Sequence, residues 1–262
     1  MVQSHDSDNQ NFWFGVSMFL IGLIAGVIMT SASGSASFLK FGTKTAASKP
    51  PSVPAVPAQA QPASAANQPS AQDRMIQVAK DIGLNESDFK GCISSDKFKQ
   101  RIDADLAGGS DAGVNGTPGN ILYNIKTKNA LLISGARPVD SFKKYIDAML
   151  NDPNYQSKDA DVTSAKNVPV VDASTDHIRG NPDAELAIIE YVDYQCPFCQ
   201  RVHPTMQQLL TDYGDKVMWV MRNFPLGFHP DAVPLATGAE CAADQGGNDA
   251  YWDYADKILG TN

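Results

Sequence analysis

The chain has 262 residues and a formal net charge of −8, from 29 acidic against 21 basic side chains. It offers no basic face to neutralise phosphates, which argues against a nucleic-acid partner and leaves solubility as the role of the excess acid. The length suffices for one or two domains, but not all of it has the composition of a packed core.

Residues 1–11 read as a short N-terminal tail. Residues 9–39 carry no charged side chain, and Phe12–Met29 is a nearly unbroken apolar run close to the minimum that spans a bilayer. The first ten residues contain no Lys or Arg, so residues 12–30 are expected to be an uncleaved transmembrane signal anchor rather than a cleaved signal peptide. The small-residue run "SASGSAS" keeps cleavage open, and a buried core helix is a third reading. Gly22 and Gly26 form a GxxxG pair, a weak signal for dimerisation. Lys40, Lys44 and Lys49 follow the apolar run while Asp6 and Asp8 precede it, so the positive-inside rule would place the bulk of the protein in the cytoplasm. The cysteine chemistry described below needs an oxidising compartment and argues for the opposite, extracytoplasmic side. Residues 31–69 are expected to be a disordered Pro/Ala-rich linker. Six prolines fall within residues 46–72 and hardly any large apolar residue does. Such a spacer reaches on the order of 80 Å at about 3.1 Å per residue.

Folded sequence begins at Ser70. In "SAQDRMIQVAKDIG" Ser70 is placed as an N-cap, Asp73 stands at the capping-box position, and Met75, Val78 and Ile82 recur at helical spacing before Gly83. Further helices are expected at Glu86–Cys92 and Asp96–Leu106, the second with Phe98, Ile102 and Leu106 on one face. "GVNGTPGNILYNI" and "ALLISGA" read as two short strands, and Pro138–Leu150 as a helix with proline in its first turn. Residues 151–181 turn polar again, with scattered prolines, and are expected to be a second linker. Glu185–Asp193, "ELAIIEYVD", is the kind of continuous apolar run found in a strand buried on both faces. A helix Pro197–Tyr213, a strand Lys216–Phe224 and two helices, His229–Gln245 and Asp249–Leu259, complete the chain, with Gly260 as a stop.

The chemistry is concentrated where the continuous strand meets its helix. "CPFC" places Cys196 at the helix N-terminus, where unpaired backbone N–H groups and the helix dipole favour a thiolate. Cys199, one turn further, is placed to resolve a mixed disulfide. Pro197 suits the first helical position because it has no N–H to lose. Cys92 and Cys241 bring the cysteines to an even count of four, which suits an extracytoplasmic protein. No second C-x-x-C spacing exists among Cys92, Cys241, His203 and His229, so no metal is expected.

The segments "IRGNPDAE", "EYVDYQCPFCQRVHP", "RNFPLGFHPDA" and "ECAADQG" make residues 176–262 resemble the first half of a DsbA-like thiol–disulfide oxidoreductase. "GVNGTPGNILYN" and "LLISGARPVDSFKKYIDAML" make residues 73–150 resemble the second half of the same family. In the family the halves come in the opposite order. Joining Asn262 to Ala71 regenerates an uninterrupted passage through the family's helical insertion, so the resemblance implies a circular permutant. The expected fold class is α/β: a thioredoxin-like sheet with a helical insertion, circularly permuted, behind an N-terminal transmembrane helix and a linker. Residues 70–150 would be the C-terminal half and residues 182–262 the N-terminal half with the CPFC active site. A swapped dimer, and a truncated or mis-joined product that completes no domain, are the alternatives.

The same resemblance implies roles. Cys196 is expected to be the nucleophile and Cys199 its resolving partner, the two forming a redox-active disulfide around the dipeptide Pro197–Phe198. Phe198 stands where some family members have His, which would leave the thiolate less stabilised. Pro118 would be the cis-proline facing the cysteines, with Thr117 offering backbone hydrogen bonds to an extended substrate; an ordinary trans turn is the plainer reading. Glu190 matches the family's acidic position near the buried cysteine and would relay its proton, unless it is a solvated glutamate. His203 is read as a surface or helix-packing residue rather than a group that tunes the thiols, and Trp219, Phe224, Phe228, Trp252 and Tyr254 as core and helical-lid packing. In the rejoined order Cys92 and Cys241 both lie in the helical insertion, where they would form a structural disulfide or pack as free thiols. The implied function is that of a membrane-anchored extracytoplasmic oxidoreductase introducing disulfides into exported proteins with reduced cysteines. It would need no cofactor and would be reoxidised by a quinone-linked membrane redox partner. A reductase or isomerase on the same fold, a non-catalytic peptide-binding module and an inactive incomplete domain are the rivals.

Overall fold

The computed structural model describes residues 69–260. The expected anchor at 12–30 lies outside the described residues, as does the linker up to residue 68. Among the described residues no helix is long and apolar enough to cross a membrane.

Three helices lead into the sheet. Helix α1 (Ala71–Asp81) opens on a capping box: Asp73 N–H donates to the Ser70 hydroxyl at 3.1 Å, and Ser70 N–H donates back to the Asp73 carboxylate at 3.3 Å. Helix α2 (Glu86–Ile93) is capped by Asn85, whose side chain accepts from Asp88 N–H. Helix α3 (Lys99–Asp111) begins and ends later than the expected Asp96–Leu106 and runs straight through Gly108 and Gly109. Glycine propensity marks that pair as a stop. The helix continues because it passes close to the sheet: a Cβ at residue 109 would lie 2.7 Å from the Tyr191 ring and 2.9 Å from Phe224. Only a residue without a side chain fits there.

The sheet has six strands. β1 (Gly119–Asn124) and β2 (Ala130–Ser134) form an antiparallel pair, and helix α4 (Val139–Asn151) follows. β3 is Val162–Ser164 and β4 is His177–Gly180; then come β5 (Leu186–Val192), helix α5 (Pro197–Tyr213), β6 (Val217–Asn223) and helix α6 (Ala232–Leu259). The strand order is β3-β2-β1-β5-β6-β4. β1 lies antiparallel to β5, and β5 parallel to β6. The two halves of the chain therefore contribute strands to one sheet within one molecule.

Residues 151–181, expected as a linker, connect the two halves and also supply both sheet edges, β3 on β2 and β4 on β6. Edge strands are short and half solvated, so they carry no apolar run that composition would reveal. Arg222, itself 4% exposed, pins the crossing between them. It gives two 2.8 Å hydrogen bonds to the Asp176 carboxylate and others to the carbonyls of Pro169 and Val170.

Both faces of the sheet are covered, which explains the unbroken apolar character of β5. Leu186, Ile188 and Val192 face the cluster built with α1, α2, α4, α5 and α6, whereas Ala187, Ile189 and Tyr191 face a smaller one that includes Ala112 and Val114. Each fully buried isoleucine there contributes about 1.5–3 kcal/mol. α6 is one helix by hydrogen bonding but breaks at Gly247, whose φ of 71° and ψ of −163° admit glycine almost alone. The expected pair of closing helices is this one element on either side of its break.

Cys92 on α2 and Cys241 on α6 form a disulfide, with Cα atoms 5.9 Å apart. It joins residues separated by 149 positions and fastens the first half of the chain to the second. Replacing both cysteines by alanine is expected to lower the unfolding free energy by up to about 4–5 kcal/mol in the chain-entropy model. Urea titration without reductant, with Cys196→Ser and Cys199→Ser introduced in both proteins, measures it; a loss below about 1 kcal/mol would show that the bridge closes no costly loop.

Candidate active site

The pairing of β1 with β5 builds the site. Because the two strands run antiparallel, with Gly119 opposite Tyr191, the start of β1 lies beside the end of β5. Thr117–Pro118 immediately precedes β1, and its peptide bond is cis. Val192 ends β5, and the turn Asp193–Gln195 delivers Cys196 to the first turn of α5. The Cys196 sulfur lies 3.5 Å from the Thr117 carbonyl oxygen. Residues nearly eighty positions apart thus share one site.

Helix α5 starts with Cys196 as N-cap and Pro197 as its first residue. No side chain caps this end; the Phe198 and Cys199 N–H groups of its first turn act on the Cys196 sulfur, the latter also donating to the Cys196 carbonyl at 3.1 Å. Both active-site cysteines are free thiols. Cys196 keeps a small exposed fraction of 3%, whereas Cys199 has none, so only Cys196 offers a surface to another sulfur. Phe198 is half exposed, and the Arg201 guanidinium lies 5.0 Å from its ring centroid.

The electrostatics separate the two thiols. Cys196 is drawn down to about 5, first by the hydrogen bond its sulfur receives from the Cys199 thiol. Partial burial opposes this, and Thr117 together with the N–H groups of Cys199 and Phe198 adds to it. The Thr117 hydroxyl is buried and has no hydrogen-bond partner among the described residues. Cys199 is pushed well above the ordinary thiol range, first by burial, then by its coupling to Cys196 and the nearby Glu190 carboxylate.

Glu190 is fully buried in β5 rather than solvated. Burial raises its pKa to about 8, against a 3.1 Å hydrogen bond donated by Trp219 Nε1–H. At neutral pH it therefore holds a proton beside Cys199. Its other oxygen, Oε1, has no partner among the described residues. Trp219 reads in the sequence as plain core packing; its hydrogen bond to Glu190 is set by strand register and has no local signal.

His203 is not at the surface. It is fully buried on α5, with Nε2 2.7 Å from the Asp256 carboxylate, which Arg179 also grips through two 2.9 Å hydrogen bonds. This ties α5 to α6 and makes His203 a helix-packing residue. Trp219, Phe224, Trp252 and Tyr254 are buried. Phe228 departs from that reading: it is 76% exposed on the loop after β6, because that loop turns outward before α6 begins.

A Glu190→Gln variant tests the buried proton. A carboxyl whose folded pKa lies above its unfolded one costs stability progressively as pH rises from its unfolded value toward its folded value. With 4.5 unfolded and about 8 folded, the cost grows across that window and amounts to about 3 kcal/mol at pH 7. The variant is expected to melt higher than the parent at pH 7–8 and alike near pH 4. Parallel melting curves across the range would show that Glu190 is not shifted upward.

Residues 60–147 match the DSBA-like thioredoxin domain family, and residues 172–262 match a family described as Thioredoxin. Similar curated proteins are larger. A Na(+)/H(+) antiporter NhaA 1 of Mycolicibacterium gilvum (strain PYR-GCK) is 39% identical over 90 residues, which cover 34% of this chain and 14% of the antiporter. A Na(+)/H(+) antiporter NhaA 1 of Mycobacterium sp. (strain KMS) is 47% identical over 77 residues, 29% of this chain and 13% of the antiporter. A Na(+)/H(+) antiporter NhaA of Herminiimonas arsenicoxydans is 38% identical over 91 residues, 35% and 14%. With a CPFC turn and a cis-proline brought together on one thioredoxin-like sheet, the two matches are consistent with a DsbA-like thioredoxin-fold protein, its two matched halves appearing in permuted order.

Proposed function

We propose that this protein is a membrane-tethered, extracytoplasmic oxidase that passes a disulfide from Cys196–Cys199 to exported proteins, and that its domain is a circular permutant of the family pattern. The observation that carries the oxidase reading is the opposite displacement of the two thiols, Cys196 down to about 5 and Cys199 well up. A stabilised Cys196 thiolate favours the reduced enzyme, and a pair that prefers to be reduced oxidises its partners.

In the forward direction a substrate thiolate attacks the Cys196 sulfur of the enzyme disulfide, and Cys199 leaves with the bonding electron pair. Glu190, protonated beside it, supplies the proton that makes Cys199 a neutral thiol. A second substrate thiolate then attacks the substrate sulfur of the mixed disulfide and expels Cys196 as its stable thiolate. The substrate is oxidised by two electrons and the enzyme pair is reduced by two. Thr117 and cis-Pro118, at the edge of β1, are the residues placed to align an extended substrate. Reoxidation falls to a membrane redox partner, and residues 12–30 would tether the domain near it. Antiporter activity is not carried over from the NhaA relatives, of which the shared stretch is 13–14%.

Cys196→Ser is expected to abolish oxidation of a dithiol peptide, and Cys199→Ser to accumulate mixed disulfides that run as heavier species on non-reducing gels. Equilibration with glutathione buffers should place the reduction potential nearer −120 than about −270 mV, the oxidising end of the range for this fold. A potential at the reducing end would make the protein a reductase. A reporter fused after residue 262 is expected to be active only outside the cytoplasm; activity confined to the cytoplasm would overturn the assigned topology.

A further inference from the structure

The segment "RNFPLGFHPDA" (222–232) stands outside the thiol chemistry, yet the fold lays it against the turn that carries Cys196. Asp193 is the hub. Its backbone carbonyl accepts Cys196 N–H at 3.0 Å, and its Oδ1 accepts Gln195 N–H at 2.8 Å, so one residue shapes the whole turn into α5. The other carboxylate oxygen reaches across to the loop after β6, taking Leu226 N–H at 2.9 Å and His229 Nδ1 at 2.7 Å. The carboxylate is completely buried, while the His229 side chain is 19% exposed. A second link lies beside the first: Asp231 N–H donates to Gln195 Oε1 at 2.8 Å, and Gln195 Nε2 returns to the Asp231 carboxylate at 3.4 Å.

We propose that His229 and Asp193 form a latch that positions the Cys196 turn, making His229 a positioning residue for the thiol exchange. This rests on the oxidoreductase reading of the CPFC pair. The Cys196 sulfur depends on N–H groups of the first turn of α5, and hydrogen bonds to a charged sulfur weaken steeply once their direction is lost. A buried carboxylate deprived of one of its three donors costs free energy and recovers it by moving toward water. That movement would pull the turn with it. The latch thus ties the geometry of the reactive sulfur to the loop that follows β6.

The test compares His229→Leu, which keeps bulk but removes the donor, with His229→Asn, whose amide nitrogen occupies the place of Nδ1. Thiolate absorbance at 240 nm, followed against pH on the reduced protein, reads the state of Cys196 without any substrate. His229→Leu is expected to raise that titration midpoint by about half a unit or more and to slow dithiol oxidation about tenfold, and His229→Asn to restore most of both. Gln195→Ala, which loosens only the second link, should move both in the same direction by less, and it serves as the probe if the leucine variant does not fold. A folded His229→Leu protein with parental midpoint and rate, or a loss confined to melting temperature, would overturn the latch. A parent protein that oxidises no dithiol would overturn the oxidase reading instead, and the absorbance titration would still decide the latch.

Discussion

The pairing of β1 with β5 is the constraint on which the rest of the structure depends. Each strand comes from a different half of the chain, and neither half alone offers a sheet that could bury its apolar residues. Strand β5 presents side chains to both faces, so it is stable only when flanked and covered on both sides. The register that satisfies this burial also sets Thr117–Pro118 against Cys196. Packing and chemistry are decided by the same set of backbone hydrogen bonds, since a one-residue slip would turn every side chain of β1 to the wrong face.

Burial then does the chemical work. Two thiols of the same intrinsic acidity sit one helical turn apart, yet one rests at a helix N-terminus among donors and the other inside the core beside a carboxyl. The low dielectric of that core raises Cys199 and Glu190 together, and the helix end lowers Cys196. A protonated acid is thereby held near the buried Cys199 thiol. The same burial that stabilises the fold through apolar contacts destabilises it through Glu190, a local cost that the extensive core offsets.

Joining halves in this order places demands on the connecting segments. Residues 151–181 must run from one edge of the sheet to the other, and they do so as two edge strands held by Arg222 to Asp176. The disulfide between α2 and α6 joins the helices of the two halves. Buried polar contacts knit the same seam: Glu240 on α6 accepts from Arg101 on α3, from Asn223 on β6 and from His177 on β4. His177, Arg101 and Asn223 together hold that carboxylate below its ordinary value despite its burial.

What could be read from the sequence was whatever depends on neighbours along the chain. The capping box at Ser70, the apolar run of β5, the CPFC turn and its helix are local patterns whose physics acts over a few residues. Their likeness to one family also suggested which distant segment faces which. The tertiary structure alone decided the features whose cause lies elsewhere in space. Helix α3 runs through two glycines because Pro169 fills the room a side chain at 108 would need, and Tyr191 and Phe224 the room at 109. The polar stretch 151–181 becomes sheet edge because β2 and β6 would otherwise expose unpaired backbone. Trp219 turns its N–H to Glu190, Asp193 reaches His229, and Phe228 faces solvent, none of which has a signature in spacing or composition. Local periodicity determines which elements form. Register and burial, which couple residues far apart in the chain, determine which polar atoms meet and how their protons are held.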